Sequence, residues 1–73
     1  MSSIAKKILA DALQIGVDEI SSQTNIYSTE AWDSLAHMRI ALALQEKLNR
    51  DLSAQEILQL ENLETVSGIL KGG

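Results

Sequence analysis

The sequence contains no cysteine, no proline and no phenylalanine, and it has a single tryptophan and a single histidine. Without cysteine, disulfide bonds, thiolate metal sites and a cysteine nucleophile are all excluded. One histidine and scattered carboxylates offer no recognisable metal-ligand spacing, so we predict no metal site. The shortage of aromatic residues limits the core, and we therefore expect modest stability unless binding adds to it.

Long apolar runs and an excess of positive charge are also missing. No stretch reaches transmembrane length, and Asp11 and Gln14 interrupt the apolar residues that follow Lys6 and Lys7. No signal peptide is therefore predicted, and the cytoplasm is the expected location. The formal net charge of −4 argues against nucleic-acid backbones and anionic membranes as partners.

The 73 residues are enough for one small domain, residues 1–73, which we expect to be a monomer. A hydrophobic content of 45% makes disorder improbable. No segment shows sustained strand alternation. The pattern predicts an all-α fold: a small antiparallel helical bundle of three longer helices and one short helix, with a long loop between helices 1 and 2. Residues 71–73 are expected to fray.

Capping residues and apolar periodicity place the helices. The first is capped by Ser2 or Ser3, stops at Gly16, and has an apolar stripe of Ile4, Ile8, Ala12 and Ile15. Ser53 and Glu56 match a capping box that opens a short third helix, with inward-facing residues Ile57, Leu58 and Leu60. The last helix begins at Asn62 or Glu64 and carries the apolar residues Val66, Ile69 and Leu70.

The segment from Val17 to Asp33 shows no sustained period and contains a polar run. Such a long connection is unusual in a compact domain unless it is functional or well anchored. The expected anchors, whose side chains would plug the core, are Val17, Ile20, Ile26 and Tyr27. Trp32 is either a further anchor or an exposed partner contact, and the sequence leaves both interpretations open.

The second helix, predicted from Ser34 to about Asn49, is apolar on two sides. At about 100° per residue, one side, the core arc, contains Ile40, Ala41, Leu44 and Leu48. The other side, the docking arc, contains Leu35, Met38 and Leu42, with Arg39 and Glu46 beside it. Because a domain this small has too few residues to cover a helix on all sides, we assign the docking arc to partner binding. The alternative is that the short helices cover both arcs.

Ser34 lies where the long loop ends and the second helix begins. Four N–H groups at a helix start lack intrahelical partners, and the helix dipole favours an anion there. Asp33 is a good N-cap residue. A serine in this first turn suits a hydroxyl that will carry a phosphate, although Asp33 and Ser34 could also serve only as caps.

The triplet Asp33-Ser34-Leu35, the loop before it, the two shorter helices after it and the later run Leu63-Glu64-Thr65-Val66 resemble the acyl carrier protein family, which includes aminoacyl and peptidyl carriers. The resemblance covers Ile4 to Leu70. It implies that a phosphopantetheinyl transferase joins 4′-phosphopantetheine from coenzyme A to Ser34, within a motif completed by Asp33 and Leu35. It further implies that the thiol of this group holds an acyl or aminoacyl cargo as a thioester.

The resemblance also implies partners and a role. The expected partners are an acyl- or aminoacyl-activating ligase and a downstream acyltransferase or condensing enzyme. They would dock on Trp32, Leu35, Met38, Arg39, Leu42 and Glu46. Such a carrier has no catalytic residue of its own and is a substrate of its partner enzymes.

The sequence departs from the fatty-acid carriers in three respects. Those carriers typically have glycine where this chain has Ala31, and a smaller residue where it has Trp32. Their second helix is strongly acidic, whereas residues 33–50 here contain three basic and two acidic side chains, a net charge of +1 with histidine neutral. The departures favour a dedicated biosynthetic pathway over general fatty-acid synthesis.

Other functional classes fit less well. Ser34, His37 and Asp33 make a hydrolase triad in composition only, because no strand–elbow–helix context is present. The terminal Gly72-Gly73 is similar to the end of ubiquitin-like modifiers, whose folds are rich in strands. The main alternative is an unmodified helical interaction module that binds through the docking arc and needs no particular residue at Ser34.

Overall fold

The computed structural model describes residues 3–72, which form four α-helices. The helices are α1 (Ser3–Leu13), α2 (Ser34–Leu48), α3 (Ala54–Leu58) and α4 (Leu63–Gly72), and a short 3₁₀ turn lies at Val17–Glu19. No strand occurs within these residues; a single antiparallel bridge joins Asn25 and Asn62. The predicted all-α fold, with three longer helices and one short one, is confirmed.

Helix α1 runs antiparallel to both of the other longer helices, α2 and α4. Ile4 and Ile8 of α1 line a groove together with Ala43 and Lys47 of α2, so the start of α1 lies beside the end of α2. The start of α1 also meets the end of α4 at Leu70. Because α1 is antiparallel to both partners, α2 and α4 run in the same direction and their N-terminal ends lie at one end of the bundle.

The core consists of aliphatic side chains and one indole. Its fully buried large residues come from three helices and the connection before α4, namely Leu9, Ile40, Leu44, Leu60 and Val66. On α2, Ile40, Ala41 and Leu44 are buried and Leu48 is partly buried, so the core arc is confirmed. Leu35, Met38 and Leu42 are exposed, and α3 does not cover them.

Helix α1 ends earlier than the sequence suggested. Gln14 has a left-handed backbone, with φ of 61°, and the Ile15 N–H donates to the Ala10 carbonyl at 3.1 Å. This is a Schellman ending. Gly16 lies beyond it with φ of −71°, so the prediction that Gly16 stops the helix is wrong. Ile4 is also half exposed rather than part of a buried stripe. The predicted caps, Ser2 and the Ser3 side chain, lie outside the described residues.

The long loop is anchored partly as expected. Ile20 is buried and Ile26 partly buried, whereas Val17 and Tyr27 are exposed and do not plug the core. Polar contacts hold the loop instead: the Asn25 side chain accepts from two following backbone N–H groups, and the Ile26 N–H donates to the Glu61 carbonyl at 2.9 Å. Because these bonds fix the backbone, the Tyr27 ring is not needed as an anchor.

The second half of the chain follows its capping signals. The Glu56 N–H donates to Ser53 Oγ at 3.1 Å, and the Ser53 N–H donates to Glu56 Oε1 at 2.9 Å, which confirms the capping box. Leu60 is buried, but Leu58 is 80% exposed, so its predicted inward orientation is wrong.

Helix α4 begins next to its predicted start. The Asn62 side chain accepts from the Thr65 N–H at 2.9 Å and caps the first turn. The helix continues through Gly72. Lys71 and Gly72, which we expected to fray, are therefore helical, and Gly73 lies outside the described residues.

Candidate functional site

Ser34 is the first residue of α2, and it is exposed. Asp33 before it has an extended backbone, and its Oδ1 accepts from the Ala36 N–H at 2.9 Å. The carboxylate thus satisfies one of the free donors of the first turn. The helix starts here because Asp33 caps its first turn and the residues that follow have the apolar spacing of an amphipathic helix. The result is a serine hydroxyl held on a rigid helix start and open to solvent.

A groove of about 670 Å³ opens beside Ser34. It lies between the long loop, the first turns of α2, and α3. Its lining is mostly apolar, and the residues that form it are Ile26, Trp32, Asp33, Ser34, His37, Met38, Ile57 and Leu58. The exposed hydroxyl therefore lies at the edge of a largely apolar trough.

His37 connects the two sides of this groove. The Trp32 Nε1–H donates to His37 Nδ1 at 3.0 Å, and His37 Nε2 lies 2.8 Å from the Ile57 carbonyl oxygen. An indole N–H can only donate and a carbonyl can only accept. This geometry assigns the neutral tautomer with hydrogen on Nε2, which donates to Ile57. In the sequence, His37 stood out only as part of a nominal hydrolase triad, and both contacts were missed.

A signal for the Trp32–His37 pair was present in the sequence. Trp32 comes just before the N-cap, and His37 lies one turn into the helix. With Asp33 as the N-cap, Trp32 is at N′ and His37 at N4, two positions whose side chains commonly pack together at a helix start. The rings have centroids 6.2 Å apart.

The same contacts bear on the hydrolase alternative. Both ring nitrogens of His37 have partners, Trp32 and Ile57, and neither partner is Ser34. The Asp33 carboxylate bonds a backbone N–H of α2 rather than an imidazole. Ser34, His37 and Asp33 are therefore not arranged as a nucleophile, base and orienting acid.

The docking arc extends from Ser34 along α2. Leu35, Met38 and Leu42 are exposed, with exposed Glu46 and partly buried Arg39 beside them. Trp32, which we also considered as a partner contact, is 4% exposed. Its indole is an anchor of the loop and a wall of the groove, so the interpretation as an exposed contact is wrong.

An ion pair holds the N-terminal end of α3. Arg50 Nη2 lies 2.9 Å from Glu56 Oε2. The Arg50 hydrogen bond, helped by the Ser53 backbone N–H, lowers the pKa of Glu56 from 4.5 to about 2. Glu56 therefore stays ionised in mild acid and keeps α3 tied to the connector after α2.

The described residues, 3–72, also bear on metal sites and membrane spans. No three or more histidine, aspartate or glutamate side chains in this range come together where they could hold a metal ion. None of the helices there is both long and apolar enough to cross a membrane.

Comparison with known proteins identifies the family to which the chain belongs. Residues 4–70 match the family model described as phosphopantetheine attachment site. A search of curated proteins found no match. The family is defined by covalently attached 4′-phosphopantetheine. An exposed serine at a helix start, beside a mostly apolar groove, fits such a group. The chain therefore belongs to the phosphopantetheine attachment-site family, which includes the acyl carrier proteins that its sequence resembles.

Proposed function

We propose that the protein is an acyl or aminoacyl carrier and that the Ser34 hydroxyl carries 4′-phosphopantetheine through a phosphodiester. The single observation that supports this most is the exposed Ser34 at the first position of α2 in a chain of this family. A phosphodiester there is an anion at the positive end of the helix dipole, close to unpaired backbone N–H groups.

Each residue of the motif has a role in this proposal. Asp33 fixes the start of the helix, so the direction of the Ser34 hydroxyl is set before any enzyme binds. Leu35 begins the docking arc, one residue from the attachment point. The prosthetic group, when attached, supplies the thiol that a chain without cysteine lacks. The chain itself would then position cargo and not catalyse its chemistry.

The proposed partners recognise the docking arc. A phosphopantetheinyl transferase, an acyl- or aminoacyl-activating ligase, and a downstream acyltransferase or condensing enzyme would each bind Leu35, Met38 and Leu42, with Arg39 and Glu46 at the rim. Exposed apolar side chains in a row are a common mark of a protein interface. Tethered cargo gains a high effective concentration at each docked active site.

The net charge of α2 supports a dedicated pathway. Residues 33–50 carry three basic and two acidic side chains. The resemblance to acidic fatty-acid carriers implies partners with basic patches, and Arg39 would meet such a patch with like charge. Juxtaposed like charges suppress wrong partners. We therefore propose that this carrier serves enzymes of its own rather than general fatty-acid synthesis.

An unmodified interaction module is the second candidate, and the observation that favours it is the exposure of the docking arc. Such a module would bind a partner through Leu35, Met38 and Leu42 and would tolerate any small residue at position 34. It predicts no covalent change when the protein meets coenzyme A.

Intact mass separates these two functions. Purified protein is incubated with coenzyme A and a broad-specificity phosphopantetheinyl transferase, and a known carrier is included to show that the enzyme is active. We expect wild type and Ser28→Ala to gain one phosphopantetheinyl group and Ser34→Ala to gain none. Ser28 is the matched control because it is also an exposed serine, located in the loop. An unmodified wild type beside a modified reference carrier would refute the proposal.

A further inference from the structure

The only tryptophan and the only histidine of the chain are bonded to each other beside Ser34. A carrier needs an exposed serine and a docking surface, and neither requires this pair. The two residues belong to different segments: Trp32 ends the long loop, and His37 lies in α2. The second nitrogen of His37 reaches a third segment, α3, at Ile57.

The chain of bonds uses every donor and acceptor of the neutral imidazole. Nδ1 accepts from the Trp32 indole, and Nε2–H donates to the Ile57 carbonyl. Trp32 is buried, so water does not replace the acceptor if the imidazole turns away. The other neutral tautomer would place two N–H groups face to face and a lone pair against a carbonyl. The structure therefore requires one tautomer and one ring orientation.

Helix α3 has few other contacts. None of its five residues is fully buried; Ile57 is partly buried against the core, and Leu58 is exposed. Its first turn is tied to the connector by the Glu56–Arg50 ion pair. At its other end, His37 Nε2–H reaches the Ile57 carbonyl from α2. Ile57 and Leu58 form one wall of the groove and Trp32 forms another, so His37 is bonded to both walls beside Ser34.

We propose that His37, as the neutral Nε2–H tautomer, is a positioning residue for the Ser34 site. It locks the loop and α3 together across the start of α2, and the closed lock presents Ser34 to the enzymes that act on it. This inference rests on the proposed function. It assigns His37 no contact with reacting atoms, since both ring nitrogens are used by Trp32 and Ile57.

The two hydrogen bonds of His37 are compatible only with the neutral imidazole. A protonated imidazole carries N–H on both nitrogens, and its Nδ1–H would face the indole N–H. Asp33 is the charged side chain that lines the groove with His37. On α3, Glu56 is paired with Arg50, and beyond that helix Glu61 bonds the Tyr27 hydroxyl. The bond from Trp32 therefore requires a neutral imidazole with a free lone pair on Nδ1.

The first arm of the test is nuclear magnetic resonance of the apo protein. Imidazole ¹⁵N shifts in wild type should show hydrogen on Nε2 and an unprotonated Nδ1 that accepts from the Trp32 indole. In Trp32→Phe, which keeps a ring but removes the donor, the Ile57 and Leu58 amide signals should move. Tyr27→Phe is the matched control, because it removes an aromatic donor at an exposed site. It should leave the Ile57 and Leu58 signals in place.

The second arm is the rate of phosphopantetheinyl transfer to Ser34 at neutral pH. We expect Trp32→Phe to lower kcat/KM roughly fivefold, the ratio that corresponds to one hydrogen bond of ordinary net strength. His37→Ala removes both hydrogen bonds and should lower kcat/KM at least as much. His37→Gln, whose amide offers one donor and one acceptor, should recover part of the loss. Leu70→Ala controls for lost stability, because Leu70 packs on the core at the far end of the bundle. It should react like wild type.

Several results would overturn the inference. One is an Nδ1–H tautomer in wild type. Another is a Trp32→Phe protein in which the Ile57 and Leu58 amide signals do not move. The third is a transfer rate in the Trp32 and His37 variants that equals the wild-type rate. An equal loss of rate in Leu70→Ala would show that stability alone is responsible. If wild type accepts no phosphopantetheine at all, the proposed function fails. The nuclear magnetic resonance arm then still tests whether His37 holds the loop and α3 together, because it does not depend on modification of Ser34.

Discussion

Two leucines on one helix provide a test of the assigned faces of α2. Leu44 is 0% exposed and Leu42 is 59% exposed. Truncating a buried leucine to alanine costs about 2–5 kcal/mol. Burying a whole leucine side chain is worth roughly 1.5–3 kcal/mol, and less than half of Leu42 is out of water. Alanine's better helix propensity offsets some of that loss. We therefore expect Leu42→Ala to cost under about 1 kcal/mol.

These costs are large relative to the stability of the domain. At about 0.05–0.15 kcal/mol per residue, a chain of 73 residues has a free energy of unfolding of roughly 4–11 kcal/mol. Leu44→Ala should thus remove a large fraction of it and lower Tm by roughly 10 to 30 °C. The assay is urea unfolding followed by circular dichroism, with midpoints compared at unchanged m value. Equal midpoint shifts for Leu44→Ala and Leu42→Ala would refute the assignment of the two faces.

Three further predictions concern other positions. Gln14 has a left-handed backbone with φ of 61°, so Gln14→Gly should raise the free energy of unfolding by about 0.5–1 kcal/mol, measured by urea unfolding; a decrease would contradict this. The pKa of Glu56 is lowered from 4.5 to about 2, so its contribution to stability is complete above pH 4.5 and is lost as the pH falls towards 2. Glu56→Gln should therefore be less stable than wild type above pH 4.5, and this difference in the free energy of unfolding should shrink as the pH falls towards 2. A difference that stays constant with pH would count against the ion pair. Arg39→Glu should make the modified carrier a better substrate for fatty-acid synthesis enzymes and slow its own ligase, most visibly at low salt. If wild type already serves the fatty-acid enzymes well and neither rate changes in a salt series, α2 does not select partners by charge.

The helices and the two arcs of α2 were predictable from the sequence because their signals are local. Apolar spacing located the core arc, and the Ser53–Glu56 capping box located α3. The end of α1 was missed because Gln14, an unusual residue for a left-handed position, makes the turn before Gly16 is reached. Leu58 was misplaced because a helix of one turn and a half has too few residues to define a face.

The loop shows where local reasoning stops. Val17 and Tyr27 are apolar enough to act as anchors, but backbone N–H groups that donate to the Asn25 side chain and to the Glu61 carbonyl fix the loop instead. Ser34 was predictable as a candidate, since an aspartate N-cap before an apolar helix is a sequence signal. The Trp32–His37 bond is local and could have been found from the positions of the two residues around the N-cap, whereas the bond from His37 to Ile57 joins residues 20 apart and has no local signal.

Site-resolved mass spectrometry of the treated wild type tests most directly whether Ser34 is the attachment point. The protein is incubated with coenzyme A and transferase, digested, and the modified peptide is fragmented to locate the added group. We expect the phosphopantetheinyl mass on Ser34 alone and unmodified Ser28 and Ser53. The group on another residue, or a wild type left unmodified by an active transferase, would contradict the assignment.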